Sequence, residues 1–357
     1  MSQSDNQDAG AVLKRKGLHL ALTVLCCIAA VAAWTGWRLY RQMFGPGVHV
    51  TARTAVRLVP EGMDYDTLFA SLKADSCLLH PRMFDWMAGR MQYKERVRPG
   101  RYVLEDGMSN RRLLQMLRSG EQTAVNVMFL PVRKPEQLAG VVAHQISCDS
   151  AELVTLLRDE AYLESFGVRP ETALTLFIPD TYQLLWTTTA DGFVRRMKRE
   201  YDRFWTADRE NAREALGLSR QEVSILASIV EEETQRSSDR RMVARVYLNR
   251  LARRMPLQAD PTVRYALGDF TIHRVLTEHL SISSPYNTYL FGGLPVGPIC
   301  IPSADALDAV LHAPEHNYLY FCTAPDFTTL KFARTLQEHN RNAAAYQREL
   351  NRRKIWK

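Results

Sequence analysis

Residues 219–234 read SRQEVSILASIVEEET and are the most informative stretch of the chain. Ser219, followed three residues later by Glu222, forms a capping box, which predicts that a helix begins here. The apolar residues between 225 and 230 predict that this helix is buried nearly all round. Three carboxylates follow at once, on Glu231, Glu232 and Glu233.

Glu233 is predicted to point toward the protein core. Residues three, four and seven apart share one face of a helix, so Glu233 lies on the stripe that contains Leu226 and Val230. Glu231 and Glu232 are predicted to rotate away from that stripe.

A buried carboxyl group at this position is expected to be neutral. Apolar surroundings, two neighbouring carboxylates and the negative end of the helix dipole all favour the protonated form of Glu233. Cleavage of a glycosidic bond needs such an acid, because the leaving oxygen must receive a proton as the bond breaks. The residues alone leave one alternative open: Glu233 reaches solvent or pairs with an arginine that follows it, at Arg236, Arg240 or Arg241.

Beyond the glutamates, one helix is followed by loops rich in Pro and Gly. The helix is predicted to start after a cap at Ser237 or Ser238, with an apolar face formed by Val243, Val246, Tyr247 and Leu251. The loops combine amides, hydroxyls and aromatic rings, which suits a cleft that binds sugars. They comprise residues 257–265, 284–289, 293–299, 318–321 and 338–340. Taken singly, each is typical of a turn.

An apolar segment near the N-terminus, residues 18–37, is long enough to cross a bilayer, which takes ~20 residues. We predict a cytoplasmic N-terminus (1–17) and a transmembrane helix (18–40) in the inner, cytoplasmic membrane, with the rest of the chain outside the cytoplasm. The flanking residues fit this orientation: Lys14, Arg15, Lys16, Trp34, Trp37 and Tyr40. A cleaved signal peptide is the alternative, because residues 30–32 resemble a cleavage site.

Two α+β regions are predicted after the membrane segment. Residues 41–121 form a small module of β-α-α-β order, with a Pro-Glu-Gly turn before its first helix. The module is similar to a LysM-like fold, a class that holds N-acetylated glycans, and a plain spacer is the alternative. Residues 122–357 form a larger domain, in which 151–160 are expected to be one helix and 176–178 a strand before a turn.

Composition excludes several classes of function. The 46 basic residues are scattered among 39 acidic ones in a chain of net charge +7, without a basic run that would indicate nucleic-acid binding. Cysteines outside the membrane segment are widely spaced and form no CxxC pair, so we expect neither a metal site nor a cofactor. Cys300 and Cys322 are the candidate disulfide, and buried unpaired thiols are the alternative.

Four motifs occur in the order and spacing of one family. They are ASIVEEET at 227–234, LQADPT at 257–262, SPYNTY at 284–289 and GLP at 293–295. With them the chain resembles the endolytic murein transglycosylases of the MltG, or YceG-like, type. The resemblance runs from the membrane segment through residues 177–182 to residues 338–340 and so covers nearly the whole chain.

This resemblance implies a reaction and a set of site residues. The reaction is cleavage between N-acetylmuramic acid and N-acetylglucosamine within nascent glycan strands, which would terminate their elongation without consuming water. The family's catalytic glutamate falls on Glu233, which would protonate the leaving oxygen and then take the proton of the muramoyl C6 hydroxyl as a 1,6-anhydro ring forms. Implied substrate-binding residues are Gln258, Asp260, Thr262, Tyr286, Asn287 and Thr288, with Gln258 and Asn287 expected on acetamido groups. Implied partners are glycan strands, the membrane and, as candidates, peptidoglycan synthases.

The chain departs from the family pattern at two places. Leu174 and Thr175 stand where the family commonly has Glu-Gly, and Thr329 and Leu330 stand where it commonly has Gly-His before Phe332. Any role of that glutamate or histidine is therefore absent from this chain.

Two other functions stay open at this point. A hydrolytic muramidase would use the same acid together with a second carboxylate that positions water, for which Asp260 is the candidate. A membrane-tethered scaffold would bind peptidoglycan through the LysM-like module without cleaving it.

Overall fold

The N-terminal helix α1 (Ser4–Phe44) opens the chain in this computed structural model. The structure describes residues 4–234, 236–272 and 275–353, and the side chains of residues 1–18, including the basic run at 14–16, lie outside what it describes. Within the described residues, one helical segment, His19–Phe44, is long and apolar enough to cross a membrane, although a signal sequence meets the same criteria. The prediction of one N-terminal apolar helix is therefore confirmed.

The chain divides into two units, of which the first comprises Met1–Ala124 and Leu185–Thr187. Apart from α1 it contains β1 (Thr54–Val59), α2 (Tyr65–Ala74), α3 (Pro81–Arg90), β2 (Gly100–Glu105) and α4 (Asn110–Ser119). The two strands pair antiparallel, with Thr54 opposite Glu105 and Val59 opposite Gly100. This is the β-α-α-β order expected from the sequence, with a third helix after it.

The helices of the first unit begin and end at residues suited to that task. Asp64 and Ser109 cap the N-termini of α2 and α4 by accepting backbone N–H groups, and Gly120 ends α4 in the left-handed conformation at φ 72°. The inward faces of the strands and helices form one core of fully buried residues, which includes Val59, Leu68, Phe84, Tyr102, Leu113 and Leu114.

A buried amide joins the end of α1 to the rest of this unit. Asn110, the first residue of α4, is fully buried, and its Nδ2 donates to the carbonyl oxygens of Gln42 at 3.1 Å and His80 at 3.4 Å. Gly47, three residues after the end of α1, packs against this side chain. A Cβ atom on Gly47 would lie only 2.8 Å from Asn110. The last turn of α1 is thereby tied to α3 and α4.

The second unit comprises Val125–Leu184 and Thr188–Lys357. Its first half contains β3 (Val125–Met128), α5 (Pro135–Ala143), α6 (Ser150–Leu156), α7 (Glu160–Glu164), a 3₁₀ helix (Pro170–Leu176) and β4 (Thr181–Leu184). β3 and β4 pair antiparallel, with Val125 opposite Leu184.

Two local predictions in this half are wrong. The helix expected over 151–160 is two helices, because the side chain of Asp159 caps a new one by accepting the backbone N–H of Tyr162 at 3.1 Å. The apolar run 176–178 is not a strand: Pro170 starts a 3₁₀ helix that extends to Leu176, and strand pairing begins only after Pro179.

The second half of this unit is mainly helical. It contains α8 (Ala190–Phe204), α9 (Ala207–Leu216), α10 (Arg220–Glu233), α11 (Ser237–Ala252), α12 (Asp260–Leu267), a 3₁₀ helix (Thr277–Ser281), α13 (Ala304–Leu311), β5 (Tyr320–Thr323), β6 (Leu330–Ala333) and α14 (Leu336–Arg352). β5 and β6 form an antiparallel pair in which Thr323 lies opposite Leu330.

The helix predicted from residues 219–234 lies at the centre of this half. The capping box is present, since Ser219 accepts the N–H of Glu222 and the Glu222 carboxylate accepts the N–H of Ser219. Every residue from Val223 to Glu231 is buried, because α10 packs against α11, α12, α13 and the 3₁₀ helix that starts at Pro170. The helix that follows begins at Ser237 itself, so the predicted serine cap is one residue out.

The cysteines are unpaired. Cys300 is fully buried, with its Sγ 3.5 Å from the carbonyl oxygen of Ser228, and Cys322 is half-buried on β5. The candidate disulfide between Cys300 and Cys322 is therefore absent from the structure.

Candidate active site

The three consecutive glutamates at the end of α10 have three different sets of partners. Glu231 is buried, with 7% of its surface exposed, and its carboxylate accepts from Arg240 Nη2 at 2.7 Å and from the Ser303 N–H at 3.1 Å. Glu231 therefore lies on a different side of α10 from Glu233, as predicted, and this side is buried too because α11 and α13 cover it. Its carboxylate is neutralised by a buried ion pair that joins these three helices.

Glu232 lies on another side of α10 and is also paired. Its carboxylate accepts from Arg133 at 2.7 Å, and Arg264 lies 3.9 Å away. The Arg133 guanidinium in turn lies 4.8 Å from the centre of the Phe270 ring. Glu232 is thus engaged in an ion pair with Arg133.

Glu233 is the carboxyl group without a cationic partner. Its Oε1 accepts a 2.6 Å hydrogen bond from the hydroxyl of Tyr247, and among the described residues it forms no ion pair. Arg240, one of the arginines considered as its partner, is engaged by Glu231 and Asp305 instead. The arginine-paired alternative for Glu233 therefore does not hold among the described residues, and the side chain is half-buried at the cavity.

Burial raises the pKa of Glu233 to about 7. The hydrogen bond from Tyr247 acts in the opposite direction, and the negative charge of Asp260 adds to the rise. Burial and the nearby Glu233 also hold the pKa of Tyr247 well above its usual value, so the phenol keeps its proton and is the donor. Near neutral pH a substantial fraction of Glu233 is therefore protonated and able to give up a proton.

Glu233 faces a cavity of about 360 Å³. Its walls come from α10, α11, the loop before α12, β5 and α14, and they are lined by Glu233, Tyr247, Arg250, Leu257, Gln258, Asp260, Tyr289, Tyr320, Phe321, Leu336 and His339. Two of the substrate-binding residues implied by the sequence, Gln258 and Asp260, thus share the cavity with the acid.

The loop that carries these two residues has a defined shape. Gln258 adopts φ 51°, a left-handed conformation that is unusual for a side-chain-bearing residue, and its N–H donates to the Thr288 carbonyl oxygen at 3.1 Å. Asp260 begins α12 and accepts a 2.5 Å hydrogen bond from the Tyr289 hydroxyl. Both polar groups are held toward the cavity by contacts with residues 288–289.

Thr262, Asn287 and Thr288 lie under this loop rather than on the cavity wall. All three are buried, and the Thr262 and Thr288 hydroxyls are 2.9 Å apart. Asn287 Nδ2 donates to the carbonyl oxygens of Leu280 and Ile282, both at 2.9 Å. Their polar atoms are satisfied within the protein, so the structure gives them a role in fixing the loop.

Tyr286 lies apart from the cavity lining. Its ring packs on Tyr265 with the centres 4.7 Å apart. Gly297 lies next to the Tyr286 hydroxyl, and a Cβ atom there would come within 2.0 Å of the Glu171 carbonyl oxygen, so only glycine fits. Leu174, which replaces a family glutamate, is buried in the 3₁₀ helix near this point.

Arg250 is a site residue that the sequence reasoning missed. The side chain is buried, its Nε donates to the Leu319 carbonyl oxygen at 2.7 Å and its Nη1 to that of Leu257 at 2.7 Å. It has no carboxylate partner among the described residues, and its guanidinium lies 5.1 Å from the centre of the Tyr320 ring. A signal existed in the spacing, since Arg250 follows Tyr247 by three residues and shares its helix face.

His339 completes the far wall of the cavity. Its ring stacks on Tyr320 with the centres 5.4 Å apart, and its buried Nδ1 has no hydrogen bond within the described part of the chain. Burial, followed by the charge of Arg250, lowers the pKa of His339, so the ring is neutral near pH 7. No group of three or more His, Cys, Asp or Glu side chains among the residues described here could hold a metal ion.

The chain is similar to known proteins over most of its length. Residues 58–345 match the model of the YceG-like family. The chain is 27% identical over 327 residues to the endolytic murein transglycosylase of Bacillus subtilis (strain 168), covering 86% of this chain and 89% of that protein. It is also 27% identical to the endolytic murein transglycosylase of Streptococcus pneumoniae (strain D39) over 81% of this chain, but it spans only 57% of that longer protein.

A solved structure shows the same fold. The crystal structure of a yceG-like protein from Listeria monocytogenes superposes with a TM-score of 0.54 at 26% sequence identity. The match covers 81% of this chain and 98% of the listerial chain.

Proposed function

Because the chain belongs to the YceG-like family, we propose that it is an endolytic murein transglycosylase that cleaves peptidoglycan glycan strands. The relatives that carry this name are similar to it over most of its length. The observation that carries the proposal is the carboxyl group of Glu233, which has no cationic partner within the described residues, is hydrogen-bonded to Tyr247 and has its pKa raised to about 7 inside a cavity.

The first chemical step uses protonated Glu233 as a general acid. The bond between the muramoyl anomeric carbon and the bridging oxygen breaks, and that oxygen takes the Glu233 proton and leaves as the N-acetylglucosamine hydroxyl. Positive charge develops on the muramoyl ring while Glu233 becomes a carboxylate. Tyr247 stabilises that carboxylate by the 2.6 Å hydrogen bond it already makes.

The second step returns the proton. The C6 hydroxyl of the same sugar attacks the anomeric carbon, Glu233 removes its proton, and a 1,6-anhydro ring closes. No water is consumed, and the acid is restored for the next cleavage. One carboxyl group is sufficient for both steps, which fits a site where the neighbouring glutamates are occupied by Arg240 and Arg133.

The cavity walls suggest how a glycan is held. We propose that Gln258 meets an acetamido group and Asp260 a sugar hydroxyl, while Tyr289 and Tyr320 stack on pyranose faces. Thr262, Asn287 and Thr288 are proposed to act indirectly, by holding the loop that carries Gln258. Arg250 supplies a fixed positive charge for the lactyl or peptide carbonyl of the muramoyl unit.

We also propose a membrane location for this chemistry, which the apolar N-terminal helix supports. We propose that α1 is a single-pass anchor in the inner membrane, with both α+β regions on its outer side, and that the module formed by residues 41–121 grips glycans in a LysM-like manner. Synthases that produce nascent strands are then proposed partners. Alkaline carbonate extraction tests the anchor, because an anchored chain stays with the membrane and a cleaved leader releases it.

Hydrolysis is the second candidate, and Asp260 is the observation that favours it. This carboxylate lines the same cavity as Glu233, so it could position a water molecule. Product analysis separates the two reactions: intact sacculi are digested with the purified chain, and the released fragments are analysed by mass spectrometry. Anhydromuramoyl ends support transglycosylation, whereas reducing muramoyl ends would establish hydrolysis.

The acid itself is tested by a matched pair of variants. Glu233→Gln is expected to abolish release of fragments, while Glu232→Gln, which removes the same charge one residue away from the cavity, is expected to retain it. Circular dichroism of both variants verifies the fold. Equal activity of Glu233→Gln and the unmodified chain would overturn the proposal in favour of a peptidoglycan-binding scaffold.

A further inference from the structure

Two stripes of basic side chains are exposed on adjoining helices of the first unit. On α3, Arg82, Trp86 and Arg90 are spaced four residues apart and therefore share one face. On α4, Arg111 and Arg118 are seven residues apart and likewise share a face. All five are exposed, including 54% of the large apolar side chain of Trp86.

The stripes line a common cavity at the end of α1. This cavity, of about 370 Å³, is lined from α3 by Trp86 and Arg90, from α4 by Arg111 and Arg118, and from α1 by Met43. The five exposed residues together with Met43 form one surface, which we call the basic–aromatic face. It combines positive charge with an accessible aromatic ring and thioether.

Within the described ranges, no acidic residue pairs with the arginines of this face. α4 contains none, and Asp85, the acid on α3, is engaged by Lys94 at 2.6 Å and by the Tyr65 hydroxyl at 3.0 Å. Among the described residues, the four arginines of the basic–aromatic face form no ion pair, and two of them lie near aromatic rings: Arg90 is 5.9 Å from the Trp86 ring centre, and Arg111 is 5.1 Å from that of Phe44. Their charge is available to an anionic partner.

The basic–aromatic face begins beside the last turns of the apolar helix. A second cavity, of about 650 Å³, lies between Trp34 and Leu39 of α1 and the segment that carries Leu79 and Arg82. Asn110 ties the end of α1 to this region. A bilayer that contains α1 therefore has its interface at the level of Arg82, where tryptophan and arginine are favoured.

We propose that the basic–aromatic face docks on the anionic phospholipid surface of the membrane that holds α1. The inference rests on the proposal that α1 is a membrane anchor, and it is independent of the chemistry of Glu233. Each basic residue close to an anionic surface contributes about fivefold to binding. Docking would add lipid contacts to the link through Asn110 and so hold the first unit against the membrane.

The test places a photoreactive benzophenone amino acid at position 86 of the full-length chain, reconstituted into nanodiscs. Discs of phosphatidylcholine alone are compared with discs that also contain phosphatidylglycerol, and lipid adducts are quantified by mass spectrometry. Val56, an exposed apolar residue of β1 outside the face, is the control position. R90Q/R111Q/R118Q removes three charges from the face, and R53Q/K73Q/R96Q removes three exposed charges elsewhere.

Lipid adducts at position 86 are expected to require phosphatidylglycerol. The ratio of docked to undocked chains should fall on the order of 100-fold in R90Q/R111Q/R118Q and stay unchanged in R53Q/K73Q/R96Q. Glu233→Gln, which removes the acid in the second unit, should leave the adducts unchanged, and this separates the inference from the murein-cleaving function. The docking proposal would be overturned by equal adducts in the two kinds of disc or by an equal loss of adducts in both triple variants. It would also be overturned by adducts to a second protein chain, or by a chain that leaves the membrane in alkaline carbonate.

Discussion

Removal of the Tyr247 hydroxyl tests whether this hydrogen bond tunes the acid. In Tyr247→Phe the 2.6 Å bond to Glu233 is lost, while the ring and its packing against Phe321, 5.9 Å away, are kept. A hydrogen bond to a charged group contributes about 1.5–3 kcal/mol, and part of it persists when Glu233 is protonated. A net preference of about 1.4 kcal/mol for the carboxylate corresponds to one pH unit. The pKa of Glu233 should therefore rise from about 7 to about 8 in the variant.

The assay is kcat/KM for cleavage of soluble glycan strands as a function of pH. A general acid is active only when protonated, so activity should fall above about pH 7 in the unmodified chain and above about pH 8 in Tyr247→Phe. The absolute rate should be lower in the variant because the carboxyl group is less firmly oriented, but its activity relative to the unmodified chain should rise about tenfold between pH 6 and pH 9.

Tyr286→Phe is the matched control, since this hydroxyl lies off the cavity lining, and it should leave the pH profile where it is. An alkaline limb that stays fixed in Tyr247→Phe, or moves to lower pH, would refute the reasoning.

Three further changes test the surroundings of the acid. Glu233→Gln should raise the free energy of unfolding by about 3 kcal/mol at pH 8.5 and leave it nearly unchanged at pH 4, as measured by urea unfolding at the two pH values. The reason is that this carboxyl group, with its pKa raised to about 7, is costly to bury only once it is ionised. Arg240→Ala should lower the free energy of unfolding by about 3–5 kcal/mol, because the buried carboxylate of Glu231 loses its cation. If this free energy fell less than in a variant that lacks an exposed arginine, the role of the ion pair would be contradicted. Gly297→Ala should destabilise by at least about 1–3 kcal/mol, because the added methyl would lie 2.0 Å from a backbone oxygen, whereas Gly292→Ala, which meets nothing within 4 Å, should be neutral in the same thermal melts.

Local patterns in the sequence were sufficient for much of the fold. Caps and apolar spacing predicted α10 with its capping box, and the β-α-α-β order of residues 41–121, because such signals depend on neighbours within a few residues. They failed where a polar side chain or a proline changed the local hydrogen bonding, as at Asp159 and around Pro179.

The sequence predicted only the part of the site that contains Glu233. Helical phase identified Glu233 as facing inward, but it could not show that α13, some 70 residues away in sequence, covers Glu231 as well. The opposite wall, with Tyr320 and His339, depends on the packing of β5 and α14, which joins segments distant from Glu233 in sequence. Asn287 and Thr288 show a further limit: polar residues in a rigid loop often satisfy the loop itself, and composition alone does not distinguish that use from ligand binding.

The three partners of the glutamate run have a consequence for the register of α10. Glu231, Glu232 and Glu233 are chemically identical, so a one-residue slip along the helix would keep a carboxylate at the cavity and leave the composition of the site unaltered. Such a slip is opposed because Val230 would take the place of Glu231, and the buried Arg240 would lose its ion pair with that glutamate. This ion pair therefore fixes which of the three glutamates faces the cavity. A design that moves this acid into another helix would need Arg240 as well.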